Sequence, residues 1–205
     1  MRNPHASEIS DQIRENVRSD LSPMLGEIGN PEMREWVVEA WATALWLNGF
    51  TAVSQLQGSA NVDMMVEIGA TQADHLCGVA RTAKAIAQAW LVKDPAYPID
   101  LDLVVAGGLL HDVGKPNEYN PENRKKWKEN LYKEGFPTAS HAIYGFHILM
   151  LLGLPMEVCC IPAMHAREGG FWQRSLVTTI IHFADYQYWD CLKLLGKIDP
   201  LTIPK

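Results

Sequence analysis

At 205 residues and 47% hydrophobic content, the chain is long enough and apolar enough to fold around a substantial core. Its net charge of −6 argues against a nucleic-acid-binding surface. No segment approaches the roughly 20 apolar residues of a membrane helix, and the first residues lack a signal-peptide core, so we expect one cytoplasmic domain over residues 1–205 that contacts neither nucleic acid nor membrane.

The hydrophobic pattern of residues 1–70 predicts peripheral N-terminal helices and a loop. Asn30 and Pro31 are a typical N-cap and first helical position for a helix that runs to Leu47. Trp41 and Trp46 extend its apolar surface beyond one stripe, which predicts burial on two sides or, alternatively, contact with a second copy in a homo-oligomer. Residues 51–69 lack a clean period and are predicted to be a loop with a short helix that could line a site.

Residues 71–190 are predicted to be the helical core, and no segment alternates as a strand does. The predicted helices are 71–92, 101–110, 121–133, 138–152, 156–165 and 172–195. The polar segment 116–137 is predicted to be an excursion from the helical core that could cover a site. Residues 191–205 are predicted to be a tail. The expected fold class is therefore all-α, a compact helical bundle with extra N-terminal helices.

Four cysteines are present, at positions 77, 159, 160 and 191. They show neither a disulfide framework nor a CxxC pair, so we expect reduced thiols and no cysteine-based metal site.

Imidazoles and carboxylates recur along the core in the order H…HD…H…H…D. These side chains are His75, His111, Asp112, His141, His165 and Asp185. They are the ligands that borderline and hard divalent metals prefer. Adjacent His and Asp side chains diverge by about 100° on a regular helix, so they converge on one metal more easily where a helix ends, and Gly114 predicts such an end.

The pattern resembles the HD-domain superfamily of metal-dependent phosphohydrolases, over about residues 71–190. The segments that carry the resemblance are Ala73-Asp74-His75, the box His111-Asp112-Val113-Gly114-Lys115, the two intermediate histidines, and Phe183-Ala184-Asp185. The two extra histidines are similar to those of the dinuclear branch. Ala166 and Gly169-Gly170-Phe171 stand where cyclic-dinucleotide members have a second His and a GYP tripeptide, so that activity is not assigned.

The resemblance implies two metal ions. One would be held by His75, His111, Asp112 and Asp185, and the other by the two intermediate histidines with Asp112 as the bridge. The ligand set suits manganese, iron, zinc, cobalt, nickel and magnesium, because all of them accept nitrogen and oxygen ligands. Two ions would lower the pKa of a shared water and orient a phosphoryl group for attack.

Asp112 and Lys115 are the catalytic candidates, and Lys115 and Arg167 are the candidates to bind a small anionic substrate. A Lys three residues after the HD pair provides a point charge for phosphate, and a guanidinium grips phosphate with two bonds. Asp74 or Glu168 is a candidate proton shuttle.

The expected function is a metal-dependent hydrolase of a small phosphate ester or nucleotide. Three alternatives remain open from the residues: hydrolysis of a non-phosphate substrate such as ring opening of a cyclic ketone, a mixed-valent di-iron oxygenase, and a sensing module without turnover. The complete ligand set argues against the sensing module.

Overall fold

The computed structural model describes residues 3–204, which form helices and a single two-stranded sheet. The helices are α1 (Asp11–Leu25), α2 (Pro31–Leu47), α3 (Gln72–Lys93), α4 (Leu101–Leu110), α5 (Lys115–Tyr119), α6 (Pro121–Glu129), α7 (Leu131–Glu134), α8 (His141–Leu151), α9 (Met156–His165) and α10 (Leu176–Leu194). The strands are β1 (Gln57–Asn61) and β2 (Met64–Thr71). The predicted all-α fold class is confirmed, and the small sheet is an addition to it.

Polar caps begin the helices that carry the core. Asn30 accepts hydrogen bonds from the backbone N–H groups of Glu32 and Met33 at the start of α2, as the sequence predicts. Thr71 and Asp74 form a reciprocal capping box at the start of α3. The carboxylate of Asp74 is therefore engaged in the cap of α3. Its position does not support the proton-shuttle role suggested from the sequence.

Helices α3 and α4 pack closely at the centre of the molecule. A Cβ on Gly108 would lie 2.7 Å from the Cα of Ala80, so only glycine permits this approach. Helix α2 lies closer to the centre than the predicted peripheral position, because Trp41 is fully buried and its indole N–H donates to the carbonyl of Leu109 at 2.7 Å. Burial thus accounts for Trp41 without a second copy of the chain.

The segment predicted as a loop contains the antiparallel hairpin β1–β2, which is a correction to the sequence prediction. Polar and apolar residues do not alternate clearly along the hairpin, because few of its side chains face the core. Ser59 and Val66 are among the buried ones. Contacts from outside the hairpin hold it: the N–H of Ile68 donates to the carbonyl of Lys197 in the tail at 2.9 Å. The hairpin therefore depends on tertiary contacts that no local pattern reveals.

The excursion after the HD pair also differs from its prediction. Two short helices, α6 and α7, replace the single helix expected over 121–133, and they meet at Asn130, which has φ −130° and ψ 45°. Within residues 3–204 no helix is both long and apolar enough to cross a membrane.

Candidate metal centre

Five separate segments bring the six predicted ligands together. His75 lies in the first turn of α3, and His111 and Asp112 follow the last residue of α4. His141 is the first residue of α8, and His165 is the last residue of α9. Asp185 lies in the middle of α10. All six are buried, so the bundle assembles a polar cluster inside its core.

Close packing of the HD turn against α8 sets the position of the pair. Helix α4 ends at Leu110, before the His-Asp pair, and Gly114 has a right-handed conformation with φ −82°. A Cβ on Gly114 would lie 2.0 Å from the carbonyl oxygen of His141. The glycine is thus required by the approach of α8, and it does not end the helix as the sequence prediction had it.

The carboxylate of Asp112 presents one oxygen to each of two histidine pairs. Its Oδ2 lies 3.5 Å from the Nε2 of His75 and 3.6 Å from the Nε2 of His111. Its Oδ1 lies 3.3 Å from the Nε2 of His141 and 3.6 Å from the Nε2 of His165. One carboxylate therefore stands between two groups of nitrogen atoms.

Asp185 belongs to the first of these groups. Its Oδ1 lies 3.4 Å from the Nε2 of His75 and 3.9 Å from the Nε2 of His111. Its side chain also accepts a hydrogen bond from the indole N–H of Trp189, one helical turn later, at 3.1 Å. Trp189 stacks on the ring of His75 at 4.8 Å between centroids, so one aromatic side chain positions two candidate ligands.

Hydrogen bonds at the far side of the rings fix the tautomers of two of the histidines. The Nδ1 of His111 lies 2.7 Å from the carbonyl oxygen of Gly108, and the Nδ1 of His165 lies 2.7 Å from that of Pro162. A carbonyl oxygen only accepts, so each Nδ1 must carry the hydrogen. In the neutral rings the lone pair is then on Nε2, the atom that faces Asp112, which is the arrangement a metal ligand needs.

The chemistry of the cluster fits divalent metal ions. The ligand atoms of His75, His111 and Asp185 lie within 4.8 Å of one another, as do those of His111, Asp112 and His165. The donors are imidazole nitrogens and carboxylate oxygens, which suit zinc, manganese and iron. The buried His/Asp groups can therefore hold metal.

Electrostatics in the cluster favour a cation beside Asp112. Burial by itself would raise the pKa of Asp112, but the nearby positive charge of Lys115 holds that pKa well below its ordinary value. Burial lowers the pKa of His111 to about 4, so this ring is neutral near pH 7. Burial by itself would lower the pKa of His165, but its contact with Asp112 and the negative charges of Asp112 and Asp185 together raise that pKa.

Two buried polar side chains that the sequence analysis did not single out also contact the cluster. Gln72 is fully buried, and its amide N–H donates to Asp112 Oδ2 at 2.8 Å. Glu118 accepts from the backbone N–H of His141 at 2.6 Å. The spacing of Gln72, three residues before His75, places both on one helical face and was a usable signal. The approach of Glu118 to His141 is purely tertiary and has no sequence signal.

A cavity of about 270 Å³ opens beside the cluster. Asp112 and Asp185 form part of its floor, and Asn61 and Met65 of the hairpin form one wall, as the sequence analysis suggested for this segment. Further walls come from the turn after α9 and from α10. Its lining residues are Ala60, Asn61, Met65, Asp112, His141, His165, Ala166, Arg167, Glu168, Asp185, Tyr186, Trp189 and Asp190.

The two predicted substrate-binding cations lie in different environments. Arg167 is exposed and lines the cavity. Lys115 is fully buried, and its ammonium donates to the carbonyls of Ser59 at 3.0 Å and Ala60 at 2.6 Å and lies 4.0 Å from Asp112 Oδ2. The structure thus brings Arg167 to the cavity and directs Lys115 to the back of the hairpin.

The chain was compared with models of known protein families, with curated proteins and with solved structures. The model of the HD domain matches residues 73–187, which is more than half of the 205 residues and includes all six clustered side chains. No curated protein and no solved structure matches the chain. The chain therefore belongs to the HD domain family, a superfamily of metal-dependent hydrolases.

Proposed function

We propose that this protein is a metal-dependent hydrolase that uses two divalent ions bridged by Asp112. The observation that carries the proposal is the division of the Asp112 carboxylate, with Oδ2 toward His75 and His111 and Oδ1 toward His141 and His165. Asp185 would complete the first group. Two ions held there would lower the pKa of a shared water toward neutrality and neutralise charge on a substrate oxygen.

The surrounding residues hold the Asp112 carboxylate in an orientation that would let it bridge two ions. Gln72 donates to Oδ2, and the buried ammonium of Lys115 supplies a positive charge 4.0 Å from the same oxygen. In this proposal Lys115 keeps its place in the catalytic centre, but it acts by supporting Asp112 and the hairpin wall. Arg167 takes the role of contacting the substrate.

The substrate that we propose is a small phosphate ester or nucleotide. The cavity is lined by four carboxylates, those of Asp112, Glu168, Asp185 and Asp190, and by the guanidinium of Arg167. An anion would enter such a cavity only with metal ions in place, because like charges repel strongly where water is scarce. Bound ions and Arg167 together would then select an anionic group.

A second candidate is hydrolysis of a carbonyl compound, such as ring opening of a cyclic ketone. Two observations favour it: Tyr186 and Trp189 line the cavity, and the amine of Lys115 is engaged with backbone carbonyls. An uncharged ring fits against aromatic walls without a second cation.

The test is release of inorganic phosphate from a panel of phosphate esters and nucleotides. Protein is purified without oxygen and loaded with manganese or iron, and diester products are treated with a phosphatase before readout. We expect selective release by loaded protein and none after chelation. A protein that holds two ions and releases no phosphate would contradict the phosphate proposal; turnover of cyclic ketones would then support the second candidate, and oxygen uptake would support an oxygenase.

A further inference from the structure

A buried carboxylate outside the proposed ligand set lies behind one of the histidines. Glu118 is on the short helix α5 and is 5% exposed. Its Oε1 accepts from the backbone N–H of His141 at 2.6 Å and lies 3.1 Å from the Nδ1 of the same residue. A single oxygen atom therefore contacts both the main chain and the ring of His141.

These two contacts leave His141 little freedom. The backbone contact takes the place of a side-chain cap at the start of α8, because the N-cap residue Ser140 makes no capping bond. The ring contact makes Nδ1 the donor, since an ionised carboxylate only accepts. The Nε2 lone pair is then directed to the side where Asp112 Oδ1 lies, at 3.3 Å.

The hydrogen-bond partner of the His141 Nδ1 differs in charge from the partners of the Nδ1 atoms of His111 and His165. The Nδ1 atoms of His111 and His165 meet neutral backbone carbonyls. That of His141 meets a carboxylate, which makes the opposite nitrogen a better electron donor toward a cation. Of the two histidines that face Asp112 Oδ1, His141 is thus the one with charged support.

We propose that Glu118 is a positioning residue for the second metal ion, because it sets the tautomer, ring orientation and donor strength of His141. The inference rests on the proposed two-ion function and adds the residue on which the second ion depends. Loss of a partner of this kind weakens metal affinity by roughly 10–100-fold. Glu118 contacts His141, which faces Oδ1, so the first ion, which His75 and His111 would hold on the Oδ2 side, should be unaffected.

The experiment is a titration of metal-free protein with cobalt(II), followed by visible absorption and calorimetry, for wild type, Glu118→Gln and Glu134→Gln. Gln keeps the size of the side chain and one acceptor oxygen while it removes the charge. Glu134→Gln is the matched control, since Glu134 is a partly buried carboxylate in the same excursion that bonds Lys126 and Thr138 and no histidine. We expect two binding steps in wild type and control, and a second step weakened roughly 10–100-fold in Glu118→Gln with the first step and the melting temperature preserved.

Three results would overturn the inference, and they can be told apart. An unchanged second step in Glu118→Gln would overturn it while leaving the two-ion proposal intact. Equal weakening of both steps with a lower melting temperature would show that Glu118 serves only the fold. A single step in wild type would overturn the two-ion proposal and the inference with it.

A second measurement needs no folded variant of Glu118. In ¹⁵N spectra of metal-free wild-type protein labelled at histidine, the ring of His141, assigned with His141→Gln, should be protonated at Nδ1. A neutral ring protonated at Nε2 would overturn the inference.

Discussion

Asp112 meets two demands that a single side chain rarely meets together. It is buried without loss of its charge, and both of its oxygens face imidazole nitrogens. Two residues meet the first demand. Gln72 donates a hydrogen bond to Oδ2, and Lys115 places a positive charge near the same oxygen. The second demand makes Asp112 the residue on which the proposed centre depends most.

Asp112→Asn should abolish tight binding of the second ion and reduce turnover by more than about 100-fold, because an amide cannot bridge two cations as a carboxylate does. Metal content by atomic emission and turnover of the identified substrate are the measurements. Asp190→Asn is the control for metal content, since Asp190 is an exposed carboxylate on the same cavity. Two tightly held ions in Asp112→Asn would refute the bridging role.

A different carboxylate tests the electrostatics of the fold away from the metal centre. Glu39 on α2 accepts from the Nε of Arg14 on α1 at 2.5 Å and from the side-chain amide of Asn3 at 2.7 Å. Burial by itself would raise the pKa of Glu39, but these bonds lower it below the ordinary 4.5. Because the folded pKa is the lower one, the stabilisation is present at neutral pH and is lost as the pH falls through the folded pKa.

Glu39→Gln should therefore lower the free energy of unfolding by about 1–2 kcal/mol at pH 7, and by less at an acidic pH below the ordinary pKa of 4.5. Urea denaturation of both proteins at the two pH values measures the difference. If the substitution lowered the free energy of unfolding equally at both pH values, the contact would be stabilising through packing and not through the charge of Glu39.

At the scale of elements, the β1–β2 hairpin is a wall of the cavity that other elements hold in place. Lys115 bonds two carbonyls of the hairpin, and the hydroxyl of Tyr119 donates to the carbonyl of Gln57 at 2.7 Å. Both residues lie on α5, directly after the HD pair. The short helix that follows the turn with His111 and Asp112 thus also positions this wall of the cavity.

Lys115→Met should release the hairpin while keeping the length of the side chain. Two carbonyls lose their donor and Asp112 loses a nearby charge, so the free energy of unfolding should fall by about 2–4 kcal/mol. Hydrogen exchange of the hairpin amides should become faster, and Lys125→Met, on the exposed surface of α6, should leave it unchanged. Unchanged exchange together with a raised KM for an anionic substrate would instead favour the direct substrate role predicted from the sequence.

The elements also show what sequence patterns can and cannot predict. The bounds of α2, Pro31–Leu47, were predicted correctly because its cap, Asn30, is a local interaction. Helix α10 was predicted to begin at residue 172 but begins at Leu176. The hairpin was not predicted, because its strands are held by Lys115, by Tyr119 and by the tail. Asp63 and Met65 in and near its turn have positive φ values of 63° and 50°. Aspartate adopts this conformation more readily than most residues, but the residue type of Met65 does not predict it.

For the whole molecule, the candidate metal centre lies where two groups of packed side chains in the bundle meet. One group of buried side chains comes from α1, α2, α8, the start of α9 and one face each of α3 and α4. A second group comes from the other faces of α3 and α4, the later part of α9, and α10. The candidate ligands come from α3, α8, α9, α10 and the turn after α4. Their convergence therefore requires the assembled fold, which explains why single histidines in the sequence carry little information and the ordered set carries much.

The whole molecule also sets the limit of prediction at the site. The six clustered residues were predicted from their order, and the structure brings them together. Glu118 and Gln72 support that cluster from other segments, and the direction of Lys115 depends on where the hairpin lies. Such contacts arise from packing between distant segments, so they were accessible only in three dimensions.

The most direct test of the account is diffraction at the manganese absorption edge from crystals of manganese-loaded protein. The account predicts two anomalous peaks per chain on opposite sides of Asp112: one near Oδ2 with His75, His111 and Asp185, and one near Oδ1 with His141 and His165. A single peak, or two peaks that do not share Asp112, would contradict the bridged two-ion centre.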